Sequence, residues 1–240
     1  MIRSANWLGD AVMTVPALMA VRETYPDAHI AVVANPLVAQ LLENHPGCDE
    51  VIVYNKRAEH AGVLGMLRFA ADLRRRKFDC AILFQSAIEA GIMAFLARIP
   101  RRLGFTTDGR RIFLTHPVPF GEAEKTIHQT EAFLRVVNHY GIKAEEKRQP
   151  LALLDSERLW VKEQLPEGPV VTINPGAAYG SAKRWYPERF AAVGDFLARE
   201  YGMHVVLIGG PDEVEIGNDI ASAIQAPVHN FVGKTSVRQM

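Results

Sequence analysis

The sequence predicts an α/β chain made of two Rossmann-like units, each a parallel sheet covered by helices on both faces. Three observations predict it. Short, almost continuously apolar runs alternate with longer segments of helical period, which is how parallel strands buried on both faces read in sequence. A polar, proline-bearing stretch divides the chain near residue 150, as a linker between domains does. Loops of small and charged residues follow several of the apolar runs, at the carboxyl ends of strands where open α/β sheets bind ligands.

Taken in order, Met1 to Arg3 or Ser4 reads as a short first strand and Asn6-Trp7-Leu8-Gly9-Asp10 as the loop after it. Helical period then runs over Ala17 to Thr24, with Pro16 tolerable in the first turn or at a kink. Strands are expected at Ile30 to Ala34, Val51 to Tyr54 and Cys80 to Phe84, and helices at Val63 to Arg76, Ala87 to Ala97 and Thr126 to Tyr140. From Gly141 to Pro169 the chain turns polar, with a short helical piece at Asp155 to Gln164 and the closing run Pro166-Glu167-Gly168-Pro169. The second unit reads as a strand at Val170 to Ile173, a loop, a helix at Glu188 to Tyr201 and a strand at Val205 to Ile208. The expected division is therefore a first unit over 1–150, a linker over 151–169 and a partial second unit over 170–240. Gly233 to Met240 reads as a strand exit with a helix barely begun, so both ends look incomplete.

Composition narrows the class. With 240 residues and 48% hydrophobic content the chain can bury a substantial core. Lys+Arg and Asp+Glu both number 27, so the overall balance points to neither nucleic acid nor an acidic partner. Cys48 and Cys80 stand far apart without a Cys-x-x-Cys pair, which argues against a disulfide framework or structural zinc and fits a reducing cytoplasm. The opening lacks the apolar core of a signal peptide, and no run approaches a membrane span.

The segment from Val170 to Phe190 carries the clearest chemistry. An apolar strand stops at Asn174-Pro175-Gly176, passes through small residues and restarts as a helix near Pro187, with Lys183 and Arg184 between. Backbone N–H groups in such a loop suit a phosphate or diphosphate. Neither specific phosphate-loop pattern is matched, so a solvated, ligand-free turn stays equally open on spacing alone. Asp10 has two readings as well: the cap of the first helix, or a general base at the edge of a cleft.

Three motifs in order, Gly9 to Leu18 (GDAVMTVPAL), Ile173 to Phe190 (INPGA…AKRWYPERF) and Leu207 to Glu215 (LIGGPDEVE), resemble the ADP-heptose:lipopolysaccharide heptosyltransferases of glycosyltransferase family 9. The likeness spans essentially the whole chain, and the opening resembles the heptosyltransferase II branch. It implies a GT-B fold, two Rossmann-like domains facing a cleft, with acceptor on the first and nucleotide-sugar on the second. By this resemblance Asp10 matches the catalytic aspartate and Lys183 the donor-side lysine, although Tyr186 is inserted here between Trp185 and Pro187. Glu213 matches the ribose-binding glutamate, and Asn174, Gly176, Ser181 and Gly209 complete the expected donor set. An anionic, lipid-anchored inner-core acceptor directs attention to Arg57, Arg102 and Arg110, taken as loop cations, and to Gln85 and Ser86 beyond a strand. The run Arg74-Arg75-Arg76-Lys77 fits a solvated helix end better, and His128 a helix-terminus histidine. No Asp-x-Asp pair occurs in the chain, so an inverting, metal-independent reaction without cofactor is expected, at the cytoplasmic face of a membrane. The competing expectations are a non-catalytic nucleotide-binding module and a family 9 transferase with another donor. An NAD- or SAM-dependent enzyme is disfavoured because the first strand exits into NWLGD rather than a glycine-rich fingerprint. Family members continue past the position of Met240 with an Asp-Ser-Gly-x-x-His-type donor loop.

Overall fold

The computed structural model describes residues 1–144, 148, 151–177 and 181–240, and for Ser181 the backbone alone. The chain divides into two compact units, Met1–Ala152 and Leu153–Met240. No helix among the described residues is long and apolar enough to cross a membrane.

The first unit runs β1 (Ile2–Arg3), α1 (Leu8–Thr24), β2 (Ala31–Ala34), α2 (Pro36–Leu42), β3 (Glu50–Val53), α3 (Gly62–Arg75), β4 (Cys80–Leu83), α4 (Ile88–Leu96), β5 (Arg101–Phe105), β6 (His116–Val118), α5 (Glu122–Thr126) and α6 (Gln129–Asn138). Its six strands are all parallel in the order β3-β2-β1-β4-β5-β6. That order reverses direction between β1 and β4, the switch point at which ligands of such sheets bind. Alternation along the strands feeds two cores. Ile2, Val32, Ala34 and Ile82 pack with α1, α2 and α6, while Ala31, Val33, Ala81 and Leu83 pack with α3 and α4. The α/β reading with apolar strands buried on both faces therefore holds.

The second unit contains α7 (Asp155–Gln164), β7 (Val170–Ile173), α8 (Pro187–Tyr201), β8 (His204–Leu207), α9 (Val214–Ala223) and β9 (Val228–Asn230). Its sheet is parallel in the order β7-β8-β9 around Ile173, Val205, Leu207, Ile216 and Ile220. The helical piece expected in the linker is α7. Arg238 Nε and Nη2 donate to Glu157 Oε1 and Oε2 at 2.5 and 2.8 Å, tying α7 to the end of the chain within this unit.

Several elements depart from the sequence reading. Helix α1 starts at Leu8 rather than Ala17 and carries Pro16 in its interior, where the ring is buried in the core and one backbone donor is forgone. Asn35-Pro36 opens α2 by side-chain capping, with Asn35 Oδ1 accepting from Leu37 N and Val38 N at 3.1 and 3.0 Å. Strand β5 does not show in the residue pattern because Arg101, Arg102 and Gly104 mask the alternation of Leu103 and Phe105. Strand β6 holds Pro117, which an edge position accepts.

Candidate active site

In the first unit the site begins at the switch point. The carbonyl of Arg3 accepts from Phe84 N at 3.0 Å and Gln85 N at 3.2 Å, so the exits of β1 and β4 are fastened side by side. From β1 the chain passes through Asn6 and Trp7 into α1, whose N-cap is Trp7 with no side-chain cap. Asp10 is half-buried in the first turn, where the helix dipole favours a carboxylate. Of the two readings of Asp10, the helix cap is thus taken by another residue.

On the β4 side Gln85 is half-buried, and its Oε1 is buried without a hydrogen-bond partner among the described residues. A buried amide oxygen left unmatched calls for a donor such as a hydroxyl. Ser86 is exposed, and its carbonyl accepts from Thr107 Oγ1 at 2.7 Å. Beyond β3, Arg57 is exposed.

Two expected acceptor cations are corrected. Arg110 is fully buried in a one-turn 3-10 helix, donating from Nε to Phe105 O at 2.7 Å, from Nη2 to Leu83 O at 3.4 Å and from Nη1 to Gln85 O. Burial lowers its pKa to about 10, so it stays charged at neutral pH while serving backbone carbonyls. Arg102 is no loop residue either. It is the second residue of β5, paired with Ala81 at the amino end of the sheet, away from the β1 and β4 exits. Its guanidinium donates to Phe113 O at 2.6 Å and to Ile99 O, and packs 5.6 Å from the Phe95 ring. His128 caps α6, with Nδ1 accepting from Thr130 N at 3.3 Å.

A polar cluster around Arg3, at the exit of β1, is not legible in the residue pattern. Arg3 is 5% exposed and lies 5.8 Å from the ring of Tyr54, whose hydroxyl donates to Glu89 Oε1 at 2.6 Å. Lys56 Nζ donates to Glu89 Oε2 at the same 2.6 Å. Burial works to raise the pKa of Glu89, but the bonds from Lys56 and Tyr54 outweigh it and hold the carboxyl below the usual glutamate range. Burial and the neighbouring carboxylate both push the Tyr54 phenol up. The one available signal was an arginine inside an otherwise apolar first strand.

In the second unit the exits of β7 and β8 meet around one carboxylate. Asn174 Oδ1 accepts from Gly176 N at 3.2 Å, folding the β7 exit into a tight turn. Glu213, in a 3-10 turn after β8, accepts from Gly210 N through Oε2 at 2.7 Å. A Cβ on Gly176 would stand 1.5 Å from Glu213 Oε1, and one on Gly209 2.6 Å from Oε2. At both positions the carboxylate lies where a side chain would begin, so any larger residue requires Glu213 to move. Asn174, Gly176, Gly209 and Glu213 are thus brought together. Lys183 is exposed at the end of a 3-10 turn at Ser181–Lys183, ahead of Pro187 at the start of α8. The side chain of Ser181, also expected in the donor set, lies outside the described residues.

Comparison with known proteins bears on the family of the chain. The family model for glycosyltransferase family 9 (heptosyltransferase) matches residues 66–240. Lipopolysaccharide heptosyltransferase 2 of Salmonella typhimurium is 27% identical over 98% of this chain and 71% of its own length. Among solved structures, a family 9 glycosyltransferase from Veillonella parvula superposes with a TM-score of 0.88 at 22% identity, over 99% of this chain and 70% of that one. The E. coli ADP-heptose lipopolysaccharide heptosyltransferase II does so with a TM-score of 0.83 at 25% identity, over 99% and 73%. Parallel sheets of this order, the matched family model and GT-B neighbours lead to one conclusion: the chain belongs to glycosyltransferase family 9.

Proposed function

We propose that the protein transfers heptose from ADP-heptose to the inner core of lipopolysaccharide, with inversion and without a metal ion, as a heptosyltransferase of type II. The donor and acceptor are carried over from the Salmonella and E. coli relatives. The observation that carries the reading is the cradle of Asn174, Gly176 and Gly209 around Glu213, which supports a nucleotide site at the carboxyl ends of β7 and β8.

In this reaction Asp10 takes the proton of an acceptor hydroxyl as its oxygen attacks the anomeric carbon from the face opposite the leaving group. The bond from that carbon to the diphosphate oxygen breaks, and its electron pair leaves with ADP. Lys183 and the amides of the β7 exit offset the charge that builds there, a role often filled by a divalent cation held on an Asp-x-Asp pair, which this sequence lacks. Glu213 accepts from the ribose hydroxyls, with Asn174, Gly176, Ser181 and Gly209 shaping the nucleotide site. Gln85 Oε1 receives an acceptor hydroxyl, Ser86 a second one, and Arg57 an acidic group of the core. A lipid-anchored acceptor brings the protein to a membrane surface.

The test is transfer from ADP-heptose to a heptose-deficient core in buffer containing EDTA, with the anomeric configuration of the product read by NMR. Inverted product formed at an undiminished rate supports the proposal. No transfer, transfer abolished by EDTA, or retained configuration contradicts it.

A further inference from the structure

We infer that Arg3 and Asn6 form a clamp that positions Asp10, making both of them positioning residues for the reaction proposed above. The inference rests on the reading of Asp10 as the base. It begins from an oddity of burial: a guanidinium sits in the central strand of a parallel sheet, on the face that otherwise receives Ala31, Val33, Ala81 and Leu83. Such a charge is costly to remove from water, and apolar side chains of similar volume serve stability as well or better. Yet the donors of Arg3 are well used. Nη1 donates to Ser4 O at 2.9 Å and Val33 O at 3.2 Å, and Nη2 to Asn6 Oδ1 at 2.8 Å.

Asn6 is held at a second point, since its carbonyl accepts from Asn35 Nδ2 at 2.7 Å. Asn35 in turn caps α2, so the loop after β1 is fixed to the sheet through Arg3 and to the neighbouring helix through Asn35. Only Trp7, Leu8 and Gly9 separate this anchored residue from Asp10. Ala11 N donates to Trp7 O at 2.8 Å, so the chain fixed at Asn6 leads directly into the first hydrogen-bonded turn of α1. Glu89 supplies the counter-charge to the buried arginine through Tyr54, while Lys56 holds the far oxygen of that carboxylate. Placing a base to within a fraction of an ångström is what makes a proton transfer efficient, and loss of that placement lowers turnover more than binding.

Asn6 is exposed, so its substitution leaves the core intact and isolates the clamp. Asn6→Ala is expected to lower kcat by about tenfold while the KM for ADP-heptose changes less than twofold, because the nucleotide is bound by the other unit. Asn6→Asp keeps an oxygen for Arg3 and is expected to restore kcat to within about threefold of the parent. Hydrogen exchange followed by mass spectrometry gives a readout independent of turnover: the amides of residues 7–12 should exchange faster in Asn6→Ala, with the rest of α1 unchanged. If Asn6→Ala keeps kcat within twofold while Asp10→Asn abolishes turnover, the clamp is overturned and the base stands. Unchanged exchange over residues 7–12 overturns the clamp as well, and so does an Asn6→Asp variant as slow as Asn6→Ala. If Asp10→Asn retains turnover, the reading of Asp10 itself fails, whatever Asn6 does.

Discussion

The carboxyl-end loops of the two sheets are shaped by opposite means. In the first unit long cationic side chains turn inward: Arg3 and Arg110 are buried and spend their donors on carbonyls at the exits of β1, β2, β4 and β5. In the second unit side chains are left out. Gly176 and Gly209 give up their space to the carboxylate of Glu213, and Lys183 is exposed. A positive charge in the sequence thus says little about ligands until its burial is known. A glycine says more, because what fills the place of its missing side chain is itself a candidate contact.

Breaking each half of this contrast has a calculable outcome. The largest stability effect is expected for Arg110→Met, which removes three hydrogen bonds to backbone carbonyls at the exits of β4 and β5, at a cost of about 3 kcal/mol in urea denaturation. Exposed Arg57→Met should stay within about 0.5 kcal/mol of the parent in the same experiment. Equal losses at the two positions would remove the distinction between scaffold and surface arginines.

Gly176→Ala is expected to be milder for the fold. The atom it strikes is the end of a flexible side chain, so Glu213 swings away and gives up its bond to Gly210 N, at about 1 kcal/mol. Titration calorimetry should then show ADP binding about tenfold weaker, a loss of about 1.4 kcal/mol. Unaltered ADP affinity would mean that the cradle is structural only.

The smallest effect concerns Glu89. Its carboxyl is held below the ordinary value of 4.5, so it contributes stability that is present above that pH and is lost as pH falls through the lower folded-state value. Glu89→Gln should therefore lower stability at pH 7 by about 1 kcal/mol or less and flatten the fall in stability below pH 4.5. Parallel curves for the two proteins would show that the carboxylate is not engaged as described.

Much of this architecture was legible in the residues, for reasons the structure makes plain. Strands such as Ala31–Ala34 and Val170–Ile173 announce themselves because a parallel strand covered by helices has no polar face. Asn174 and Gly176 after β7, and Gly209 and Glu213 after β8, are local features that read as ligand loops, although the contact of Gly176 with Glu213 joins the two loops across the sheet. What stayed hidden is what sequence spacing does not encode. Arg102 and Arg110 look alike as written, yet one is the second residue of a strand, at the amino end of the sheet, and the other donates to the carbonyl of Gln85 across 25 positions. The Arg3, Tyr54 and Glu89 cluster joins a strand, a loop and a helix whose adjacency exists only once β1 lies between β2 and β4.

Asp10 and Lys183 divide the reaction between proton transfer on one unit and donor binding on the other in the proposed mechanism. The direct measurement pairs turnover with ADP titration for Asp10→Asn and Lys183→Ala. Asp10→Asn is expected to lose about a thousandfold in kcat with ADP affinity unchanged, whereas Lys183→Ala should lose about a hundredfold in kcat and bind ADP more weakly. An Asp10→Asn protein that turns over within tenfold of the parent, or a Lys183→Ala protein that matches the parent in both readings, would contradict it.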